Sequence, residues 1–588
     1  MSQTATPTTT DDPDTCRQAV AEWLADFERA LAAADVDALS GLFIPDADWR
    51  DLVAFTWDVR TTLGADAIAG RLAARNAATA ATGFGIATGR TAPRAVVRAG
   101  DDVIEAFFTF ETAVGHGTGI VRLARDSGGR ARTLLTTLAE LTGFEERRGA
   151  NRPHGTGYSR TFGGKNWLDL RHDELRYDER RSPEVLVIGA GQAGLSVAAR
   201  LRTIGVDALI VDQHERVGDV WRKRYHSLTL HNESWVASLP YLPYPDTWPT
   251  YVPKDKLGNW FEHYADIMEL NVWTSTEFVS GSYDDEAGRW DVTVRRQGDE
   301  QALHPQHVVM ATGGVSGVPH RPSLPGLTDF SGDVLHSTEY TSGTQYANRR
   351  ALVIGTGTSG HDVAQDLHAL GSDVTIVQRQ STTVVSIEPS GIMVYALYSE
   401  GTPLEDCDVI AAANSYPTLI KANQIMAARM VEHDRALLDR LAAVGFRTDI
   451  GEDGTGFHLK YNRRGGGYYI NVGASDLIAD GEIALLQADQ IRTFVPDGVE
   501  LTDGSTRDYD LVVLATGYRN QQEEVRRFFG DVVADKVGPV WGVDEEGEMR
   551  NMWRPTAQRG LWFNAGSLAA CRGNSRYLAV QIKAALEG

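Results

Sequence analysis

Cysteine is almost missing from this chain. Of 588 residues only Cys16, Cys407 and Cys571 are cysteines, and they lie far apart. There is no C-x-x-C, so neither a structural zinc nor a dithiol redox centre is indicated. Such sparse usage fits a reducing cytoplasm. Long apolar runs are missing too. No stretch of about 18 apolar residues occurs, so no transmembrane helix is expected. The opening MSQTATPTTTDDPD lacks the basic and apolar regions of a secretory signal. Excess positive charge is also absent: Lys and Arg number 57 against 79 Asp and Glu, for a net charge of −22. Nucleic acids and anionic membranes are polyanions, so neither is expected as a main partner. A small-molecule substrate and a homodimer remain as expectations.

Glycine, by contrast, is plentiful at 59 residues. Val185–Gly194 reads VLVIGAGQAG. Four apolar residues suit a strand buried on both faces of a parallel sheet. Gly189, Gly191 and Gly194 then match G-x-G-x-x-G. This is a turn that lets bare backbone approach a pyrophosphate and lets the next helix pack close. The helix over 195–202 would aim its first amides at the anion. A second strand, 208–211, ends in Asp212, where a carboxylate can accept ribose hydroxyls. The pattern recurs as ALVIGTGTSG, with Gly355, Gly357 and Gly360. Its partner strand, 374–377, ends in Gln378-Arg379-Gln380-Ser381 and carries no acid. A cation with hydroxyls suits a 2′-phosphate that an acid would repel. Asp212 therefore suits FAD or NAD at the first site, and Arg379 with Ser381 suits NADPH at the second, with NADH as an alternative there. Each motif is followed later by an apolar strand ending in Ala-Thr-Gly: Ala311-Thr312-Gly313 and Ala515-Thr516-Gly517.

These landmarks divide the chain. Residues 1–14 are expected to be a disordered tail. Residues 15–145 read as an α+β unit, with helices over 16–32, 37–43 and 65–75 followed by strands over 93–98, 103–112, 117–125 and 132–141. Residues 146–182 read as an extended arm with Phe162 and Trp167 as anchors. Residues 183–345 are the first part of an FAD unit, 346–510 a nicotinamide-nucleotide unit with a helical insertion, and 511–588 the return to the FAD unit. The fold class is α/β, with two Rossmann-like dinucleotide units behind an α+β domain. A final helix is expected over 574–585. A strand is expected over 468–472, and Arg463, Arg464 and Tyr468 are candidates for the nicotinamide side beside the plainer expectation of a solvated loop.

Two resemblances sharpen this frame. The stretch DADWRDLVAFTWDVRTTLGADAI, starting at Asp46, resembles the NTF2-like/SnoaL-like cone fold. Some members use a pocket acid or histidine, which makes Asp46, Asp48, Asp51 and His116 candidates beside the plainer expectation of solvated loop residues. Between the two glycine motifs, Phe330–Tyr340 reads FSGDVLHSTEY and fits F-x-G-x-x-x-H-x-x-x-Y. From Pro183 onward the chain resembles flavin-containing monooxygenases. GDVWRKRY, LTLH, LPYLPYP and ATGY are similar to the subgroup that includes YUCCA-type enzymes. Baeyer–Villiger monooxygenases usually have Trp where this fingerprint has Tyr340. The resemblance implies FAD, NADPH and O₂, and transfer of one oxygen atom from a flavin C4a-(hydro)peroxide to an amine, sulfide or ketone. It implies His231 and Asn232 near the flavin, a structural role for His336 linking the nucleotide units, and cofactor contacts from Trp221 and Val279. Two other functions stay open: a flavin oxidoreductase releasing H₂O₂, and a binding protein whose cone captures a ligand beside a structural flavin.

Overall fold

The computed structural model describes residues 12–154, 162–178, 180–313 and 317–588. Two five-stranded parallel sheets dominate it. The first has the order Asn271–Trp273, Ala208–Val211, Val185–Ile188, His307–Met310, Leu561–Phe563. The second has the order Asp333–His336, Leu511–Leu514, Arg350–Ile354, Asp373–Gln378, Ala484–Gln487. In both, the strand before the glycine turn is sealed: every residue of Val185–Ile188 is buried, as are Ala351, Leu352 and Val353. This matches the unbroken apolar runs, because parallel strands covered on both faces need no polar alternation. Each sheet carries a three-stranded antiparallel meander, Thr276–Asp284 to Asp299–Leu303 and Ile491–Val495 to Thr506–Asp508.

The second sheet moves two expected boundaries. Leu511–Leu514 pairs with both Asp333–His336 and Arg350–Ile354. The second unit therefore begins at the fingerprint strand and runs past 510, and the return to the first unit follows Ala515. A short apolar strand carries no mark of which sheet it joins; only its pairing decides. The last helix, Leu568–Glu587, also starts earlier than expected, capped by the Ser567 hydroxyl, which accepts from Ala570 N. Gly573, a poor helix former, hid its first turn.

The N-terminal unit is α+β, with helices Pro13–Ala32, Val36–Gly41 and Ala65–Thr79 over a seven-stranded sheet. Residues 1–11 of the expected tail lie outside the described residues. Pro13 and Asp14 are already helical, because Asp12 caps and proline suits the first turn. Three strands were not anticipated: Phe43–Leu52, Val59–Leu63 and Thr82–Ile86. The first is buried on both faces, so its acids do not alternate with apolar residues. Inside, aromatic rings fill the unit. Phe84 stacks on Phe110 at 5.0 Å, Trp23 on Phe27 at 5.0 Å, and Trp49 meets Phe55 edge-on at 5.6 Å. A Cβ on Gly117 or Gly119 would lie 2.2 Å from the Phe110 ring or 2.3 Å from that of Phe108.

Of the two expected anchors of the arm, one holds. Phe162 is 94% exposed, whereas Trp167, half exposed at the start of the helix Trp167–Glu174, donates its indole N–H to Glu269 Oε1 (2.8 Å). Arg171 and Tyr177 hold the arm as well. Arg171 donates to Asn271 Oδ1 (3.0 Å), and the Tyr177 hydroxyl donates to Asp207 and accepts from Asn271 (2.8 Å). A polar side chain that finds a partner orders a segment better than an aromatic ring with no cavity to fill.

Candidate active site

The two glycine turns share one geometry. Gly189 has φ +107° and Gly355 φ +117°, values that L side chains avoid. A Cβ on Gly194 would stand 1.9 Å from Gly189 O, and one on Gly360 2.0 Å from Gly355 O. The alanine of each Ala-Thr-Gly closes the other side: a Cβ on Gly189 would meet Ala311 O at 2.7 Å, and one on Gly355 would meet Ala515 O at 2.3 Å. Gly191 and Gly357 face open space, with at most one atom near an added Cβ. Each caps the helix that follows, Gln192–Thr203 or Thr358–Ala369, and neither helix has a side-chain cap. Free first-turn amides beside an open glycine are what a pyrophosphate requires.

The strand ends differ in charge. The Asp212 carboxylate is buried and accepts from Ala190 N (2.7 Å) and His214 N (2.8 Å). Its remaining lone pairs are available to ribose hydroxyls. Arg379 is exposed, with no hydrogen bond or ion pair recorded among the described residues. A solvated guanidinium at that point is matched to a phosphate. Ser381 belongs to a different group. Burial works against the charge of Asp449, but hydrogen bonds from Lys460, Ser381, Thr383 and Gly451 N hold its carboxyl down to about 2. An FAD and a 2′-phosphorylated nicotinamide nucleotide therefore fit the first and second turns respectively.

The other expected contacts divide. Trp221, on the short helix Asp219–Arg222, donates to Gln192 Oε1 (3.3 Å) at the first turn. Val279 sits at the bulge between Phe278 and Ser280, three residues beyond Thr276, whose amide donates to Asp212 O. Thr312 donates to Glu524 Oε2 (2.6 Å), and burial raises the pKa of that carboxyl. Gly313 has φ +112°. Thr516 and Gly517 serve the crossing between units: Thr516 Oγ1 donates to His320 O, His320 N donates to Gly517 O (2.9 Å), and Pro319 bridges Tyr518.

The fingerprint residues all have roles in the fold. His336 is fully buried. Its Nδ1 accepts from Thr338 N, so the proton sits on Nε2, which donates to Gly517 O (3.1 Å). It thus ties the fingerprint strand to the chain leaving for the first unit. The Tyr340 hydroxyl donates to Asp366 (2.5 Å), and Phe330 packs edge-on to Phe494. A Cβ on Gly332 would meet Asp510 O at 2.5 Å.

His231 and Asn232 lie together on the strand Thr229–Glu233, both half-buried. Burial pushes the His231 imidazole down to about 4, so it is neutral at pH 7. Asn232 Nδ2 donates to Tyr395 Oη (2.8 Å). Tyr395 belongs to the 3₁₀ segment Gly391–Ser399 and also meets Ser567, the cap of the last helix. Tyr461 meets the backbone of Ser567 and packs on Trp541 at 5.3 Å. Gln192 Nε2 reaches Gly566 O (3.3 Å) from the first turn, and Thr358 Oγ1 reaches Tyr468 O (3.5 Å) from the second. Tyrosines and a helix start therefore link the two nucleotide turns, and the region they line is the candidate cleft. Sequence reading missed Gln192, Tyr395, Tyr461 and Ser567. Only Gly566-Ser567 ahead of a helix carried a signal.

Arg463 and Arg464 are not in a loop. They end the helix Gly456–Arg464, where Arg463 pairs with Asp453 (2.7 Å) and Arg464 with Glu452. Tyr468 opens the strand Tyr468–Asn471. In the N-terminal unit, Asp48 and Asp51 are buried strand residues rather than loop acids. Asp48 accepts from Ser415 Oγ (2.5 Å) and Thr418 Oγ1 (2.8 Å). Burial raises Asp51 to about 6 against hydrogen bonds from Thr136, Thr56 and Phe55 N. Asp46 pairs weakly with Arg132 (3.4 Å), and His116 is exposed beside Glu111 (2.6 Å). The four are dispersed and form no site. Among the described residues, no cluster of three or more metal-ligating side chains exists and no helix is long and apolar enough to cross a membrane.

Comparison with known proteins agrees with this geometry. A family model described as flavin-binding monooxygenase-like matches residues 182–401. The chain is 30% identical over 365 residues to indole-3-pyruvate monooxygenase YUCCA1 of Oryza sativa subsp. japonica, covering 61% of this chain and 83% of that protein. It is 30% identical over 365 residues to the probable indole-3-pyruvate monooxygenase YUCCA9 of Arabidopsis thaliana, covering 60% and 80%. Among solved structures, an oxidized steroid monooxygenase bound to NADP superposes with a TM-score of 0.50 at 20% identity, over 69% of this chain and 85% of that one. That likeness establishes the fold of the paired nucleotide units.

Proposed function

The chain belongs to the flavin-binding monooxygenase family and is a flavin-dependent oxygenase; from that premise we propose that it draws electrons from NADPH and places one atom of O₂ on a small neutral substrate. One observation carries the electron source: two turns of the same backbone geometry end in opposite charges, Asp212 and Arg379. A bound flavin supplies the oxygen-activating chemistry. The chain's own task is to hold the two nucleotides face to face and keep water from the cleft. Gly189, Gly194 and Asp212 would hold FAD; Gly355, Gly360 and Arg379 would hold NADPH. Asn232, fixed through Tyr395, can donate a hydrogen bond into the cleft, and neutral His231 beside it can accept or donate one. The N-terminal unit is read as an NTF2-like cone on its arrangement of helices and sheet.

The side chains gathered at the cleft favour an uncharged substrate. His231 is held neutral by burial, down to about 4. Arg572, the cation beside Tyr395, is paired bidentately with Asp408 (2.7 and 2.8 Å). The relatives are named for indole-3-pyruvate, a 2-oxo acid, whose carboxylate would call for a free cation; a neutral ketone or sulfide would not. Anaerobic mixing tests the electron source. NADPH is expected to bleach the bound flavin faster than NADH at equal concentration. Faster bleaching by NADH would reverse the assignment of Arg379.

A further inference from the structure

We propose that the N-terminal unit is the anchor that fixes segment 391–415 over the cleft, and that Tyr395 is the positioning residue whose place it sets. The inference rests on the oxygenase reading above for its effect on turnover, and on packing alone for the anchor itself.

The segment has two faces. Its inner face belongs to the cleft: Tyr395 Oη takes the Asn232 amide, while Tyr398 Oη donates to Asp408 (2.9 Å), the partner of Arg572 on the last helix. Its outer face lies on the N-terminal sheet. Val409, Ile410 and Ala413 are buried in that unit's own core. Around them stand arginines from four different strands or turns. Arg50 donates to Ala412 O (2.8 Å) and pairs with Glu548. Arg90 pairs with Asp406 (2.7 Å), whose other oxygen accepts from Thr91 N and Oγ1. Arg98 bridges Glu105 and Glu400, and Arg122 bridges Glu105, Asn414 Oδ1 and Ile410 O.

These contacts are built into the interior. Glu105 and Arg122 are almost fully buried. Burial opposes the charge of Glu105, yet Arg98, Arg122 and Arg94 together hold its carboxyl down to about 2. Hydrogen bonds to charged groups are the strong ones, and removing one buried partner leaves the other uncompensated. The segment itself is poorly suited to holding its own shape. Its first part is 3₁₀, and its helix Leu404–Ala412 has no side-chain cap. Its order is imposed from the N-terminal side. The aromatic rings that fill the N-terminal unit make it a solid support rather than a second reaction chamber.

Glu400→Ala/Asp406→Ala removes the two carboxylates that the unit's arginines hold, and leaves both nucleotide turns untouched. Hydrogen–deuterium exchange of the flavin-loaded protein is expected to rise about tenfold in 391–415, with the N-terminal strands unchanged. With an oxygenated ketone or sulfide, KM is expected to rise at least about threefold and the share of NADPH lost to H₂O₂ to increase, while anaerobic flavin reduction by NADPH stays the same. The half-exposed single change Glu400→Ala should shift each quantity the same way and less, should the double variant not fold. Unchanged exchange in 391–415 would overturn the anchor. Faster exchange with wild-type KM and H₂O₂ share would overturn the positioning role of Tyr395. If the wild-type protein oxygenates no ketone or sulfide, the oxygenase reading falls, and the exchange result alone decides the anchor.

Discussion

The two nucleotide units are built on one template and diverge where a ligand is told apart. Strand, glycine turn, helix and Ala-Thr-Gly strand superimpose in kind down to the same forbidden Cβ positions, 1.9 Å at Gly194 and 2.0 Å at Gly360. Backbone geometry therefore recognises what the two dinucleotides share, the pyrophosphate. Side chains recognise what differs. Asp212 is buried and locked by two backbone amides, whereas Arg379 reaches into solvent. The first site is preformed for a ligand that stays. The second offers an exposed charge to a ligand that comes and goes. The helices differ too: Leu195 and Ser196 in the first correspond to His361 and Asp362 in the second.

The shared part breaks most severely. Gly194→Ala forces a methyl group onto a carbonyl oxygen and is expected to destabilise the first unit by roughly 3 kcal/mol, giving flavin-free protein on purification. Gly360→Ala should do the same to the second unit while flavin absorbance at the first is retained. Equal flavin loss in both variants would mean the units are not separate sites.

The divergent part should respond ligand by ligand. Asp212→Ala leaves Ala190 N and His214 N unpartnered and should weaken FAD binding about 100-fold in a fluorescence titration, with little change in KM for NADPH. Arg379→Ala should raise KM for NADPH about 10- to 100-fold and leave that for NADH nearly unchanged. Equal effects on the two nucleotides would remove Arg379 from the 2′-phosphate.

A pH-dependent effect separates the helices. His361 is buried, stacked on Tyr469 at 3.9 Å, and pushed down to about 4 by burial. A base with a depressed pKa stabilises the fold at neutral pH, and that stability is lost as pH falls from its ordinary 6.5 toward 4. The loss approaches about 3 kcal/mol. Asp362 runs the other way: burial raises it to about 6, so its contribution is full below 3.8 and fades as pH rises through 6. His361→Leu copies the first helix. Its melting temperature should therefore gain on the wild type as pH drops from 7 to 4.5. A constant difference across that range would mean the imidazole is not what titrates.

Much of this was legible in the residues because glycine turns and sealed parallel strands leave local marks. The pairs Gly189/Gly194 and Gly355/Gly360, and the opposite strand ends, stand where the patterns put them. The parts that were misread depend on long-range pairing. Leu511–Leu514 looks like any apolar strand, and only its neighbours assign it to the second sheet. Phe43–Leu52 hid behind its acids because Asp51 and one oxygen of Asp48 find partners in Thr56, Thr136, Ser415 and Thr418, some of them hundreds of residues away. Tyr395 carries no motif at all. It matters because a segment held by the N-terminal sheet brings it to Asn232. Phe162 shows the converse: an aromatic residue in a linker anchors nothing unless something encloses it.

The central claim is that these unlike nucleotide sites serve oxygen transfer, and isotope labelling tests it most directly. The flavin-loaded enzyme would be supplied with NADPH, ¹⁸O₂ and a panel of neutral aryl ketones and sulfides, and the products read by mass spectrometry. One ¹⁸O atom in a product, with the second in water, is the predicted result. Recovery of all the label as H₂O₂ for every member of the panel would contradict it.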